Sequence, residues 1–212
     1  MSTIAPATLA AELVAATPTL SDEEQELALS LYRLLANGDP VDRDRLATRT
    51  GVAPEHVTEL LGALPGVYLD DREGVIGFWG LTIRPMAHRL LVDDRVLYAW
   101  CAWDTLFLPE LIGKPAQVKS TCPTTGDAIS LSVDGNQVTG VAPDSTVLSF
   151  LHRDHPFDAN AIATFCRYVH FFADRGAAEQ WTSEHDGTFV ISLADGAEIA
   201  RLANAARFPT IR

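Results

Sequence analysis

The 212-residue chain carries 47% hydrophobic and 21% charged residues, an ordinary globular balance that predicts a real core in one domain, or in a small domain fused to a larger one. Its net charge of −12 argues against nucleic acid or an anionic membrane as the main partner. No apolar run approaches the roughly 18 residues of a membrane span, and the first basic residue is Arg33, so the start lacks the charged segment of a signal peptide and a cytoplasmic protein is expected.

In chain order, residues 1–20 alternate Ala, Thr and Pro and predict a short helix with loose ends. Ser21-x-x-Glu24 reads as a capping box, Leu27, Leu31, Leu34 and Leu35 follow at helical spacing, and Asn37-Gly38 closes the helix. A second helix is predicted over Asp42–Thr50. A third starts at Pro54, a favourable first-turn residue, and buries Val57, Leu60, Leu61 and Leu64. Val67–Leu69 and Val75–Trp79 read as a hairpin closed by Asp70–Gly74. Three helices and a hairpin outline a winged helix over residues 1–80.

A winged helix normally suggests DNA binding, but here the charge is wrong. Residues 1–80 hold 13 Asp and Glu against 5 Arg and no Lys, a net of −8. The third helix offers Glu55, His56 and Glu59 and no Lys or Arg, so it would repel phosphates rather than bind them. A packing module is the better reading.

Residues 81–212 predict a second, catalytic domain of mixed α and β. His88–Val92 and Arg95–Trp100 form a hairpin pattern around Asp93-Asp94, and a helix follows from near Cys101 to Ile112. Gln117–Ser120, Ala128–Val133, Gln137–Val141 and Val147–Leu151 read as strands with Gly, Pro and Asp turns between them. A helix over Ala159–Phe165, a strand over Tyr168–Phe172, a helix over Ala177–His185, a strand over Phe189–Leu193 and a helix over Ala197–Ala206 complete the chain. The expected fold class is α+β: an N-terminal winged-helix-like three-helix module with a β-hairpin, packed on a domain of small, mostly antiparallel sheets and helices.

Three cysteines with no C-x-x-C pair argue against a disulfide framework and against a zinc ribbon. Taken singly, each reads first as a small buried hydrophobe. Cys101 falls where a strand pattern passes into a helix pattern, near a helix N-terminus that favours a thiolate. Asp104, three residues on, would share its face and could exchange a proton with it. The same pattern suits a capping aspartate beside a core cysteine, and the segment alone does not choose. Cys166 lies 65 residues away in an aromatic context and can meet Cys101 only through the fold. Two thiolates without a third and fourth strong ligand suit a soft, two-coordinate metal better than tetrahedral zinc. Cys122, in a turn-like Thr121–Gly126 segment, reads as structural.

Trp100, Trp103, Phe107 and Phe171 suit either an apolar pocket or plain core. His170 reads as a hydrogen-bonded structural histidine. His152-x-x-His155 has ligand-like spacing, but Pro156 and its loop-like setting argue against a metal site.

Tyr98-Ala99-Trp100-Cys101-Ala102-x-Asp104-Thr105-Leu106 resembles the first active-site segment of the organomercurial (alkylmercury) lyases, and Phe165-Cys166-x-x-Val169-His170-Phe171-Phe172-Ala173 resembles their second. Gly77–Thr82, Leu111–Gly113 and Trp181 fit in the same order, and the resemblance runs from about Leu27 to Leu193. It implies that Cys101 and Cys166 bind mercury and that Asp104 carries the proton. The implied activity is protonolysis of carbon–mercury bonds to a hydrocarbon and Hg(II), in mercury detoxification, with no organic cofactor. The implied partners are organomercurial substrates and low-molecular-weight thiols, with mercuric reductase a candidate Hg(II) acceptor, and neither nucleic acid nor membrane. Some relatives carry a further cysteine after the second active-site one; Arg167 stands there instead, a difference that bears on thiol exchange or metal release. The alternative is a non-catalytic thiol protein that binds a soft metal, but pure binding gives Asp104 no work to do.

Overall fold

The computed structural model of the protein describes residues 4–157 and 160–210. The chain opens on α1 (Pro6–Ala16), where Pro6 starts the helix and Leu9 and Leu13 face inward. In α2 (Asp22–Leu35) both halves of the capping box form: Ser21 N–H donates to Glu24 Oε2 at 2.7 Å, and Glu24 N–H to Ser21 Oγ at 3.3 Å. Asp42 caps α3 (Arg43–Thr50), and Gly51 ends it in the left-handed conformation that glycine reaches without strain. The third helix of the winged-helix outline is α4 (Pro54–Ala63). Its sole imidazole, His56, is engaged by Glu59 at 3.1 Å and Glu23 at 3.2 Å, so this face offers no free basic group to a phosphate.

The hairpin of β1 (Val67–Leu69) and β2 (Val75–Phe78) does not stand alone. Through β3 (Leu81–Thr82) it joins the hairpin of β4 (His88–Val92) and β5 (Arg95–Ala99). Beyond β4 lie β6 (Ala116–Thr121), β7 (Ala128–Asp134) and β8 (Gln137–Ala142), giving one antiparallel sheet in the order β1-β2-β3-β5-β4-β6-β7-β8. Residues 1–80 and 81–212 thus share a sheet, which is larger than the small sheets expected from the strand lengths. Short runs such as Leu81–Thr82 carry no periodicity of their own and are strands only because neighbours pair with them.

A second sheet, β10-β9-β11, sets β9 (Val147–Leu151) between β10 (Phe171–Phe172) and β11 (Thr188–Ser192). Helix α7 (Arg175–Thr182) packs on it, and α8 (Leu193–Arg207) fills the space between α1 and α5 (Asp104–Ile112). The strand expected over Tyr168–Phe172 is mostly not one. Cys166–Tyr168 is a 3₁₀ turn, and only Phe171–Phe172 pairs with β9. The preceding helix, α6, covers Ala161–Thr164; its expected start at Ala159 lies outside the described residues. Among the described residues no helix is long and apolar enough to cross a membrane.

Candidate active site

Three backbone segments converge where the two sheets meet. After β5 the chain turns sharply: Trp100 N–H donates to Gly80 O at 2.9 Å, and Ala102 N–H donates to Val169 O at 3.0 Å. The first bond ties the Cys101 loop to the end of the N-terminal module, and the second ties it to the loop that carries Cys166. That second loop is held in turn by Ser149 on β9, whose hydroxyl donates to Tyr168 O at 2.7 Å and accepts from His170 N–H at 3.0 Å. Residues 65 positions apart in sequence meet because backbone bonds between loops bring them together.

The result is a buried group of Cys101, Asp104 and Cys166. One ligand atom from each lies within 4.8 Å of the others, and among the described residues no other His, Cys, Asp and Glu side chains make such a group. Cys101 is 0% exposed, Asp104 5% and Cys166 6%. All three cysteines of the chain are free thiols.

The helix expected from near Cys101 begins only at Asp104, so Cys101 precedes it rather than sitting in its first turn. Asp104 reaches back and accepts the Cys101 backbone N–H at 2.9 Å. Cys101 lies near the helix N-terminus as expected, but burial works against the thiolate that such a position favours. Burial first, then its hydrogen bond to the Cys166 sulfur and the Asp104 charge, push the Cys101 thiol well above its ordinary range. For Cys166 the hydrogen bond from Cys101 acts downward, but burial and the charge of Asp104 outweigh it and leave the thiol raised. Burial likewise lifts the Asp104 carboxyl to about 7, against hydrogen bonds from the Cys101 side chain and backbone that favour the anion. Burial thus disfavours the thiolate at both sulfurs, and Asp104 sits where it can take up or release a proton near neutrality.

Gly80 makes room for the carboxyl. Its φ is 95°, and a Cβ there would lie 3.0 Å from Asp104 Cγ and 3.0 Å from Phe107 Cζ. Trp79 beside it is pinned by Tyr32, whose hydroxyl donates to Trp79 O at 2.9 Å. A narrow cavity of about 30 Å³ opens in front of Cys166 and Asp104, walled by Trp79, Trp100, Trp103, Phe157 and Phe165. Cys166 and Asp104 are on its wall and Cys101 is behind them. Of the four aromatics singled out in the sequence, Trp100 and Trp103 line the cavity, Phe107 supports it under Gly80, and Phe171 is core. Trp103 is locked by its Nε1–H bond to Gly196 O at 3.1 Å.

The family model for alkylmercury lyase matches residues 81–204, and that for the helix-turn-helix domain of alkylmercury lyase matches residues 7–79. The chain belongs to the alkylmercury lyase family. It is 41% identical over 173 residues to an alkylmercury lyase of Bacillus cereus, covering 81% of this chain and 78% of that protein. Identity to an alkylmercury lyase of Pseudomonas putida is 39% over 181 residues, with 85% and 84% covered. The crystal structure of the mercury-bound form of MerB2 shares the fold at a TM-score of 0.71 and 23% identity, over 95% of this chain and 97% of that one.

The remaining sequence candidates fall outside this cluster. His170 is structural, its Nε2 at 2.8 Å from Arg167 O and its ring against Trp181. His152 pairs with Glu12 at 2.9 Å and His155 with Asp154 at 3.5 Å, so the two imidazoles share no ligand. Cys122 is buried in its turn. Burial acts upward on this thiol, but the Thr125 hydroxyl and the backbone N–H groups of Ala173, Thr125 and Thr124 overcome it and hold the thiol below its usual range. Its sulfur is thus the acceptor that ties the turn to Ala173. We expect Cys122→Ser to lower the melting temperature by several degrees, the effect of about 1–2 kcal/mol in a chain of this size, while hydrocarbon release per folded enzyme is retained. Thermal melts beside rate measurements check this.

The sequence pointed less clearly to Phe157, Gly80 and Arg207. Gly80 was visible only as part of the Gly77–Thr82 resemblance, and Phe157 and Arg207 had no local signal.

Proposed function

We propose that the chain cleaves carbon–mercury bonds by protonolysis, with Cys166 and Cys101 as the mercury-binding sulfurs and Asp104 as the proton carrier. The observation that carries this reading is the buried Cys101–Asp104–Cys166 group behind an apolar, aromatic cavity. Mercury is soft and prefers thiolate to nitrogen or oxygen donors, and two sulfurs suit its linear coordination.

The geometry supports an order of events. The mercurial arrives as a thiol adduct, R–Hg–SR′, and meets Cys166 first, the sulfur on the cavity wall. Cys166 displaces R′S⁻, which leaves as R′SH with the Cys166 proton. Cys101 then passes its proton to Asp104, whose carboxylate it already touches, and its sulfur joins mercury. Donation from two sulfurs loads electron density onto the departing carbon, and protonated Asp104 delivers the proton to that carbon as the bond breaks. The products are RH, R′SH and Hg(II) held between Cys101 and Cys166, with Asp104 again a carboxylate. No organic cofactor enters this scheme. Low-molecular-weight thiols supply R′S and carry Hg(II) away, mercuric reductase is one acceptor of the metal, and a cytoplasmic setting keeps the thiols reduced.

Residues 1–80 serve in this reading as a packing module that brings Trp79 and Gly80 to the site, with no nucleic-acid partner. The test is direct. Incubated with a phenylmercury–thiol adduct in heavy water, the protein is expected to release benzene carrying one deuterium. Stoichiometric mercury uptake with no benzene would mark a binding protein and end the lyase reading.

A further inference from the structure

One charged side chain on the cavity wall has no part in the scheme above. Arg207, the last residue of α8, lines the same cavity as Cys166 and Asp104. Among the described residues it makes no salt bridge, and its Nε is sealed from solvent with no hydrogen-bond partner. Its guanidinium lies 5.4 Å from the ring centre of Trp79 and 5.3 Å from that of Phe208. Ring faces stabilise the charge but do not satisfy the N–H donors. A guanidinium whose Nε–H lacks a partner suits a planar carboxylate, which the guanidinium fork can hold through two hydrogen bonds.

Asp104 and Arg207 are the two charged residues on that wall. They lie near enough to influence each other, but the structure holds no ion pair between them. The remaining wall is apolar or aromatic, apart from Thr17 and the Cys166 thiol. Arg207 also lies beyond residues 81–204, the span matched by the alkylmercury lyase model.

We propose that Arg207 is a specificity-determining residue that receives a carboxylate carried by the incoming mercurial, so that carboxylated mercury compounds are favoured over neutral ones. The inference rests on the cavity being the lyase site, but its first test needs no chemistry. Titrated with benzoate, the protein should show a saturable change in tryptophan fluorescence, because Trp79 flanks Arg207. Benzamide, of the same shape and no charge, should bind at least tenfold more weakly. Equal binding of the two by the wild-type protein overturns the proposal whether or not the protein turns over. Arg207→Gln should abolish the preference for benzoate and Arg207→Lys should keep part of it; if Arg207→Gln, folded by circular dichroism, keeps the whole preference, Arg207 is not the receptor.

Kinetics then identify the carboxylate's source. 4-Carboxyphenylmercury and phenylmercury are each supplied as adducts of 2-mercaptoethanol and of 3-mercaptopropionate. A wild-type kcat/KM ratio of tenfold or more between the two aryl groups, falling towards one in Arg207→Gln, places the carboxylate on the organic group. The same ratio between the two thiols places it on the carrier. Ratios near one in both arms, with hydrocarbon still released, sink the proposal and leave the lyase reading standing.

Discussion

Cys166→Ser and Cys101→Ser are each expected to abolish hydrocarbon release, a loss of about 10⁴-fold or more, because residues that act as a unit fail together. Serine is close to cysteine in size, so it suits two buried positions. What it removes is the soft donor: a hydroxyl does not ionise near neutrality and binds mercury poorly. The two variants should nevertheless fail differently. Cys166 is on the cavity wall, so without it no protein–mercury adduct forms at the site. In Cys101→Ser the wall sulfur remains, so capture proceeds and a stable Cys166–Hg–R adduct accumulates. Mass spectrometry with peptide mapping separates these outcomes. Near-wild-type turnover in Cys166→Ser would sink the two-sulfur mechanism, and an adduct on Cys101 in Cys166→Ser would reverse the proposed order.

The elements legible in the sequence were those with local signatures. The α2 capping box, the proline start of α4, and the alternating strands β4, β6 and β7 all follow from residues close together in the chain. What was not legible depends on non-local bonds. The 3₁₀ turn at Cys166–Tyr168 interrupts a run of β-favouring side chains because Ser149, on another strand, takes up the backbone polar groups of Tyr168 and His170. Likewise the helix after β5 starts late, since the Cys101 and Ala102 N–H groups bond to Asp104 and Val169 instead of joining helical turns. The three candidate residues that the fold brings together could be read from the matching segments. Their protonation could not, because desolvation is a property of the assembled core: it overrides the helix-terminus argument for Cys101. Arg207 had no signal at all, since a basic residue at the end of a helix is ordinarily explained by the helix dipole.

Asp104→Asn is expected to slow hydrocarbon release by about 10²–10⁴, the usual contribution of a positioned acid–base group, while Cys101 and Cys166 still hold Hg(II). Asparagine matches aspartate in shape, and its carbonyl can go on accepting the Cys101 backbone N–H, so the turn before α5 should survive. The same substitution should raise stability in a pH-dependent way that a mere capping role would not produce. Burial lifts the Asp104 carboxyl from its ordinary value of 3.8 to about 7, so between those pH values the folded protein binds a proton that the unfolded chain has lost. Stability tied to Asp104 is therefore complete below about pH 4 and falls as pH rises through about 7. Above that, the wild type carries a buried carboxylate whose penalty is on the order of 4 kcal/mol if the whole shift is realised. Asparagine has no such penalty. The variant and the wild type should unfold alike at pH 4, and the variant should be clearly the more stable at pH 8. Denaturant midpoints at the two pH values give the stability difference, and headspace analysis gives the rate. A variant that melts like the wild type at every pH and releases hydrocarbon at the wild-type rate would reduce Asp104 to a turn residue, and the proton would have to come from elsewhere.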